Sequence, residues 1–135
     1  KFDTARTIVP APVVESQAGA SVGIITYGTS HFAVQESRDQ LTEENGFKTS
    51  YLRLRAYPFP PAVEEFVRRH DRIYVVEQNR DGQMAALIRA ELPREAARVR
   101  SVRHYTGMPI DARSVSDEIL RQEGASAPVA AEVAR

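Results

Sequence analysis

Short apolar runs alternate along this chain with segments whose apolar residues recur at helical spacing. Two runs, residues 22–27 and 73–77, are nearly continuous and rich in β-branched residues. The third, residues 50–55, alternates apolar residues with arginine, so at least one of its faces is polar or covered by a partner. Between them, apolar residues recur at intervals of three and four, as in a helix that covers one face of a sheet. Strands that alternate with helices predict parallel strands joined by crossovers. The expected fold is therefore a three-layer α/β/α domain with a mostly parallel sheet.

The first helix is predicted at residues 31–42. Its inward face is expected to carry Phe32, Ala33, Ser37 and Leu41. The pair Asn45-Gly46 is the predicted stop, because a glycine readily adopts the left-handed conformation with which many helices end.

Three more helices and a fourth strand complete the predicted elements. Pro61 suits the first turn of a helix, where its missing N–H costs nothing, and Ser114 is the predicted cap of the last helix. The inward positions of these helices are Val63, Phe66 and Val67, then Met84, Leu87, Ile88 and Leu92, then Val115, Ile119 and Leu120. Residues 99–105 form the fourth strand, whose poor alternation favours an antiparallel position at the sheet edge.

The pattern divides the chain into three parts. Residues 1–20 carry two prolines and many small residues, which is typical of an arm or interdomain linker. Residues 21–123 are expected to form a single α/β domain, and residues 124–135 a C-terminal tail. Because the sequence starts with Lys1 in a loop-like segment, we expect an excised domain of a larger protein.

Composition excludes several classes of function. Lysine plus arginine equals aspartate plus glutamate at 18 each, so no net charge attracts nucleic acid or an anionic membrane. The chain has no cysteine, which excludes disulfides, a thiolate nucleophile and cysteine-ligated clusters. No apolar run approaches the roughly 20 residues of a membrane span, and no signal-peptide pattern is present. We therefore expect a cytoplasmic protein.

A polar cluster follows the third strand, where ligands of open parallel sheets commonly bind. Its members are Glu77, Asn79, Asp81 and Gln83. One interpretation is local: Asn79 or Asp81 caps the next helix and Gly82 permits the turn. In the other, carboxylate and amide groups face a ligand or a neighbouring domain. By position, Asp81 and Gly82 are predicted to form the structural turn, and Glu77, Asn79 and Gln83 the partner edge.

A second candidate lies after the first strand, at Gly28-Thr29-Ser30. These residues could simply cap the helix or could offer backbone amides to an anion. They match neither the dinucleotide-binding nor the phosphate-loop pattern. Both candidates follow parallel strands, so they should share one edge of the sheet.

Catalytic and metal-binding residues are not predicted. The three histidines, His31, His70 and His104, have no metal-ligand spacing and are expected to play ordinary polar roles. Arg53 and Arg55 are interpreted either as a basic patch for an acidic partner or as a solvated strand face.

Four segments, taken in order, carry a family resemblance: residues 22–30, 51–60, 71–83 and 105–109. The most specific part is the string Glu-Gln-Asn-Arg-Asp-Gly-Gln at residues 77–83. Together the segments resemble the C-terminal, transketolase C-terminal-like domain of the α subunit of 2-oxoacid:ferredoxin oxidoreductases.

The resemblance implies a parent enzyme that converts a 2-oxoacid, coenzyme A and oxidised ferredoxin to acyl-CoA, CO₂ and reduced ferredoxin. It implies that thiamine diphosphate, magnesium and the iron–sulfur cluster are bound elsewhere in the parent, and it favours the 2-oxoglutarate type. This domain would then be noncatalytic and would support assembly with the rest of the α subunit and a β subunit, with ferredoxin as partner of the full complex. The alternative is a stand-alone module that binds a small anionic ligand such as coenzyme A.

Overall fold

Strands and helices alternate along residues 2–124, the part of the chain that the computed structural model describes. The elements in chain order are α1 (Phe2–Ile8), β1 (Val13–Glu15), β2 (Val22–Tyr27), α2 (Ser30–Asn45), β3 (Thr49–Leu54), α3 (Pro61–Arg68), β4 (Arg72–Glu77), α4 (Gln83–Glu91), a 3₁₀ segment (Pro93–Arg98), β5 (Val99–Arg103) and α5 (Ala112–Gly124). None of the helices in this part of the chain is long and apolar enough to cross a membrane.

The sheet has five strands in the order β1–β3–β2–β4–β5. Strands β2, β3 and β4 are parallel neighbours, which confirms the prediction for the three apolar runs. Strand β5 occupies an edge as expected but pairs parallel to β4, with Ile73 opposite Val99. The expected antiparallel pairing was wrong because α4 and the 3₁₀ segment carry the chain back to the start of the sheet, which makes the connection a crossover.

Helices cover both faces of the sheet, which confirms the three-layer architecture. Successive strand residues point to opposite faces, and the strands are buried on both. One core packs α3 and α4 against the sheet and contains Ile25, Leu52, Val63, Phe66, Val75 and Ile88. The other packs α2 and α5 and contains Ile24, Val34, Leu41, Tyr74, Val76 and Ile119.

Helix α2 differs from its prediction in the face that it buries. Ser37 and Leu41 are buried as expected, but the inward face also contains Val34, and Phe32 is 73% exposed. The helix begins at Ser30, and the buried positions follow from there at steps of three and four, so Phe32 falls outside the stripe. Gly46 ends the helix with a φ of 63°, as predicted.

The start of α5 also differs from its prediction. Asp111, rather than Ser114, caps the helix, since its carboxylate accepts hydrogen bonds from the Ser114 backbone N–H at 2.9 Å and the Ser114 hydroxyl at 2.6 Å. Val115 and Ile119 are buried as expected.

The predicted arm, residues 1–20, contains two elements that the pattern did not indicate. Helix α1 lies within it, and β1 pairs antiparallel with β3, so the sheet extends beyond the predicted domain start at residue 21. At the other end α5 continues to Gly124. The predicted tail otherwise lies outside the described residues.

Candidate functional site

The two polar segments predicted to share an edge of the sheet do contact each other. The Tyr27 hydroxyl, at the end of β2, donates to a carboxylate oxygen of Glu77 at 3.3 Å. The Gln78 amide donates to the Ser30 hydroxyl at 3.0 Å. The carboxyl ends of β2 and β4 therefore form one connected site, as expected for parallel neighbours.

Glu77 lies at the centre of this site with no solvent exposure. One carboxylate oxygen accepts the backbone N–H of Met84 at 2.8 Å, and the other accepts that of Ala85 at 2.9 Å. These are two of the N–H groups that the start of a helix leaves without a partner. A negative charge is also favoured there by the helix dipole. Glu77 therefore holds the first turn of α4 to the end of β4.

Asn79 completes the same arrangement from the intervening turn. Its side-chain oxygen accepts the backbone N–H of Gln83 at 3.1 Å, and its amide nitrogen donates to Glu77 at 2.9 Å. Asn79 and Glu77 thus bind the first three backbone N–H groups of α4 between them. The start of the helix is therefore satisfied by Glu77 at the end of β4 and by Asn79 in the turn, one of the two residues that the local interpretation named as the cap.

This geometry corrects the predicted division of roles at Asp81 and Glu77. Asp81 is exposed and does not cap the helix, and its carboxylate lies 3.5 Å from the guanidinium group of Arg80. Glu77, which was assigned to the partner edge, faces the helix instead, because the turn folds α4 back over the strand end. Gly82 does hold the turn, with a φ of 61°. Whether Asn79 and Gln83 contact a partner stays a prediction.

The residues after β2 are arranged more simply. Gly28 has a φ of 64°, and Thr29 occupies the start of α2 without a side-chain cap. Both are exposed, whereas Ser30 is buried beneath Gln78. Burial raises the pKa of Tyr27, and the neighbouring Glu77 charge raises it further. The phenol therefore remains a hydrogen-bond donor at neutral pH.

The histidines have structural contacts, as the sequence indicated. His31 lies 2.8 Å from the Tyr51 hydroxyl, His70 lies 2.7 Å from the Phe66 carbonyl, and His104 lies 2.9 Å from the Met108 carbonyl. Within residues 2–124, no group of three or more histidine, aspartate or glutamate side chains could hold a metal ion.

Sequence reasoning missed a pocket beside this site. It has a volume of about 270 Å³ and lies between the end of β2, the connector after β3 and the start of α4. Its lining includes Tyr27, Leu54, Tyr57, Phe59 and Met84. The apolar residues of the connector at 56–61 were the available signal, but they were interpreted only as a rigid link. The polar groups nearby bind one another, so the pocket offers apolar surface rather than an acid–base pair.

Comparison with known proteins shows which proteins this chain is similar to in sequence. No family model matches the chain. A span of 80 residues is 34% identical to 2-oxoacid:ferredoxin oxidoreductase 2, subunit alpha, from Aeropyrum pernix, and it covers 58% of this chain. The match covers only 12% of that relative. The chain is therefore similar to a part of an oxidoreductase α subunit.

Solved structures give the same class and a more particular neighbour. The 2-oxoglutarate:ferredoxin oxidoreductase from Magnetococcus marinus, solved with 2-oxoglutarate, coenzyme A and succinyl-CoA bound, matches 89% of this chain with a TM-score of 0.74 and 25% identity. The match covers 21% of that chain. The α chain of a probable 2-oxoacid ferredoxin oxidoreductase from Thermoplasma acidophilum shares the fold over 83% of this chain and 96% of its own, with a TM-score of 0.50 and 19% identity. The expected family resemblance is confirmed.

Proposed function

We propose that this chain is the C-terminal domain of the α subunit of a thiamine-diphosphate-dependent 2-oxoacid:ferredoxin oxidoreductase. The observation that carries the proposal is the agreement of two comparisons. Sequence identity of 34% over 80 residues and a TM-score of 0.74 over 89% of the chain both lead to α subunits of this class. The Magnetococcus neighbour favours the 2-oxoglutarate type.

The parent would convert a 2-oxoacid, coenzyme A and oxidised ferredoxin to acyl-CoA, CO₂ and reduced ferredoxin. Thiamine diphosphate, magnesium and the iron–sulfur cluster would be held by other parts of a cytoplasmic α–β complex. The residues of this chain fit that division, because it has no cysteine for a cluster, and its described part has no group of side chains suited to a metal.

Within that complex, the domain would support assembly and border the catalytic region without taking part in the chemistry. The most buried carboxylate of the site, Glu77, is occupied in holding α4 and has no open side from which to move a proton. General acid–base catalysis needs a group within reach of the substrate. The partners would be the rest of the α subunit, the β subunit and, through the full complex, ferredoxin.

The first test is the reading frame and the activity of its product. We expect the frame to extend far upstream of Lys1 beside a gene for a thiamine-enzyme β subunit. The co-expressed complex should reduce a viologen dye only when 2-oxoglutarate and coenzyme A are both present. A frame that starts near Lys1 would contradict the proposal. Saturable binding of coenzyme A to the 135-residue chain, measured by calorimetry, would favour the stand-alone binding module instead.

A further inference from the structure

Most of the exposed large apolar side chains of the described residues lie at one edge of the sheet, where the parallel strands end. Phe32 follows β2, Tyr57 follows β3, and Tyr105 and Met108 follow β5, with exposed fractions of 73%, 45%, 55% and 69%. All four lie on loops or first turns at the carboxyl ends of the strands. Exposed apolar side chains that share one edge of a sheet offer contact surface to a partner.

The N-terminal arm reaches the domain at this same edge. Strand β1 runs antiparallel to β3 and starts with Val13 opposite Arg53, near the carboxyl end of β3. Just before it, the Ala11 carbonyl accepts a hydrogen bond from Arg55 at 3.5 Å. Any chain that connects through the arm therefore approaches the carboxyl edge first. The remaining exposed large apolar residues of the described part, Ile8, Val13 and Val14, lie on the arm itself.

The edge also carries positive charge. Exposed arginines follow β3 and β4 and end β5, at Arg55, Arg80 and Arg103. Asp81 is an exposed carboxylate among them, 3.5 Å from Arg80. The apolar pocket of about 270 Å³ opens beside Arg55, which lines it. A partner surface that places a large apolar side chain in the pocket and carboxylates opposite the arginines would complement this edge.

We propose that this carboxyl edge docks onto the part of the parent α chain that connects through the arm, against an apolar and acidic surface. The inference rests on the proposed function. The chain spans 12% of the Aeropyrum relative and 21% of the Magnetococcus chain, so most of either relative's own chain lies outside the matched part. A tethered partner has an effective concentration near the millimolar range. Interfaces between domains of one chain bury about 600–1,500 Å², and a tethered partner needs no larger area to stay docked. Four exposed side chains and a small pocket could contribute to an interface of this size.

A photo-crosslink in the native complex identifies the occupant. Benzoylphenylalanine replaces Phe32, which is already exposed and aromatic, so the substitution leaves the core intact. We expect irradiation to join this position to a peptide of the same α chain that precedes residue 1, with no increase in mass on a denaturing gel. The additional change Arg55→Glu should reduce the yield about ten-fold, as expected if the docked state falls from dominant to about a tenth populated. The same photoreactive residue in place of the exposed Arg94, on the opposite edge, should not give this crosslink.

Each other product would overturn the proposal. Capture of the β subunit or a doubled α-chain mass would assign the edge to another subunit or to a second copy, and no crosslink would leave the edge free. Oxidation of Met108 by peroxide provides a second measurement, with far-UV circular dichroism as the check that each variant keeps its fold. Met108 should oxidise slowly in the native full-length chain and quickly after Arg55→Glu. Met84 lines the pocket that the partner would fill, so its oxidation should also become faster. Neither readout uses 2-oxoacid turnover, so failure of the docking and failure of the proposed activity are distinguishable.

Discussion

Glu77 is the residue on which the local structure of the site depends most. Its carboxylate is buried, and burial of a charge is costly unless hydrogen bonds compensate. Here two backbone N–H groups, the Asn79 amide and the Tyr27 hydroxyl supply them. The negative charge also lies at the N-terminus of α4, where the helix dipole favours it.

Substitution of Glu77 should therefore destabilise the domain directly. Glu77→Gln places an amide N–H₂ against groups that are themselves donors, and we expect the free energy of unfolding to fall by about 1–3 kcal/mol. Denaturant unfolding of the 135-residue chain measures this. Asp81→Asn is the matched control, since Asp81 is exposed and caps nothing, and it should change stability by less than about 0.5 kcal/mol. Equal effects of the two substitutions would contradict the capping role of Glu77.

Gly82 combines a left-handed backbone with a crowded position. Its φ is 61°, and a Cβ built there would lie 2.9 Å from the Ser101 hydroxyl oxygen. Gly46 has nearly the same backbone, with a φ of 63°, but nothing lies within 4 Å of its Cβ position. Alanine substitutions at the two glycines therefore distinguish the cost of backbone strain from the cost of steric overlap.

We expect Gly46→Ala to cost about 1–2 kcal/mol of stability, the usual penalty of a left-handed alanine. Gly82→Ala should cost more because of the contact with Ser101. The Ser101 hydroxyl is buried and has no hydrogen-bond partner among the described residues. The double change Gly82→Ala with Ser101→Ala should thus return the loss to that of Gly46→Ala. Thermal or denaturant unfolding of the three variants completes the test. A double variant that is as unstable as Gly82→Ala alone would exclude the overlap as the cause.

At the scale of elements, the sequence predicts the strands and helices whose hydrophobic pattern is long and regular. The β4 run, Ile73–Val76, could be placed because it is apolar on both faces, as a central parallel strand must be. Strand β1 was missed because three residues after two prolines carry no periodicity. Phe32 was placed inward because apolar character alone does not fix where a helix begins. Asp81 was predicted to form the structural turn because it lies next to the helix start. The N–H groups of α4 are instead bound by Asn79, earlier in the turn, and by Glu77 at the end of β4.

Helix α5 is attached to the sheet by a charged cluster near its end. The Glu123 carboxylate accepts two hydrogen bonds from Arg72, at 2.7 and 2.8 Å, and one from the Tyr74 hydroxyl at 2.5 Å. Burial opposes ionisation of Glu123, but the hydrogen bonds from Arg72 and Tyr74 outweigh it and lower the pKa. Burial, together with the bond to Glu123, raises the pKa of Tyr74 to about 12, so this phenol remains a donor.

This cluster should make the stability of the domain depend on pH in the acid range. A carboxyl whose folded pKa lies below its ordinary value of 4.5 binds a proton more readily in the unfolded chain. The stabilisation that the ionised Glu123 gives to the folded state is therefore fully present when the pH is above 4.5. It is lost as the pH falls through the lowered pKa of Glu123. We expect the difference in free energy of unfolding between the wild type and Glu123→Gln to be largest at neutral pH and to shrink below 4.5. A difference that stays constant across this range would show that the charge of Glu123 is not the stabilising feature.

At the scale of the whole molecule, a net charge of zero conceals an uneven surface. Exposed aromatic residues and arginines gather where the strands end, while Glu77 and Asn79 in the same region are consumed by the fold. The exposed groups of this edge are the ones that the proposed docking would use. The sequence did not separate the two kinds of residue, because the polar cluster contains Glu77 and Asn79, which hold the fold, as well as Asp81 and Gln83, which stay exposed.

The last prediction concerns the 135-residue chain alone. We expect it to show no 2-oxoacid-dependent reduction of a viologen dye, because it has no cysteine and its described residues offer no acid–base pair aimed at the pocket. Thiamine diphosphate with magnesium should leave its melting temperature unchanged, since a ligand stabilises only a protein whose native state binds it. The full α–β complex, measured in the same way, should be stabilised and is the positive control. A saturable upward shift for the chain alone would mean that part of the cofactor site lies within this domain, and the noncatalytic assignment would then have to be abandoned.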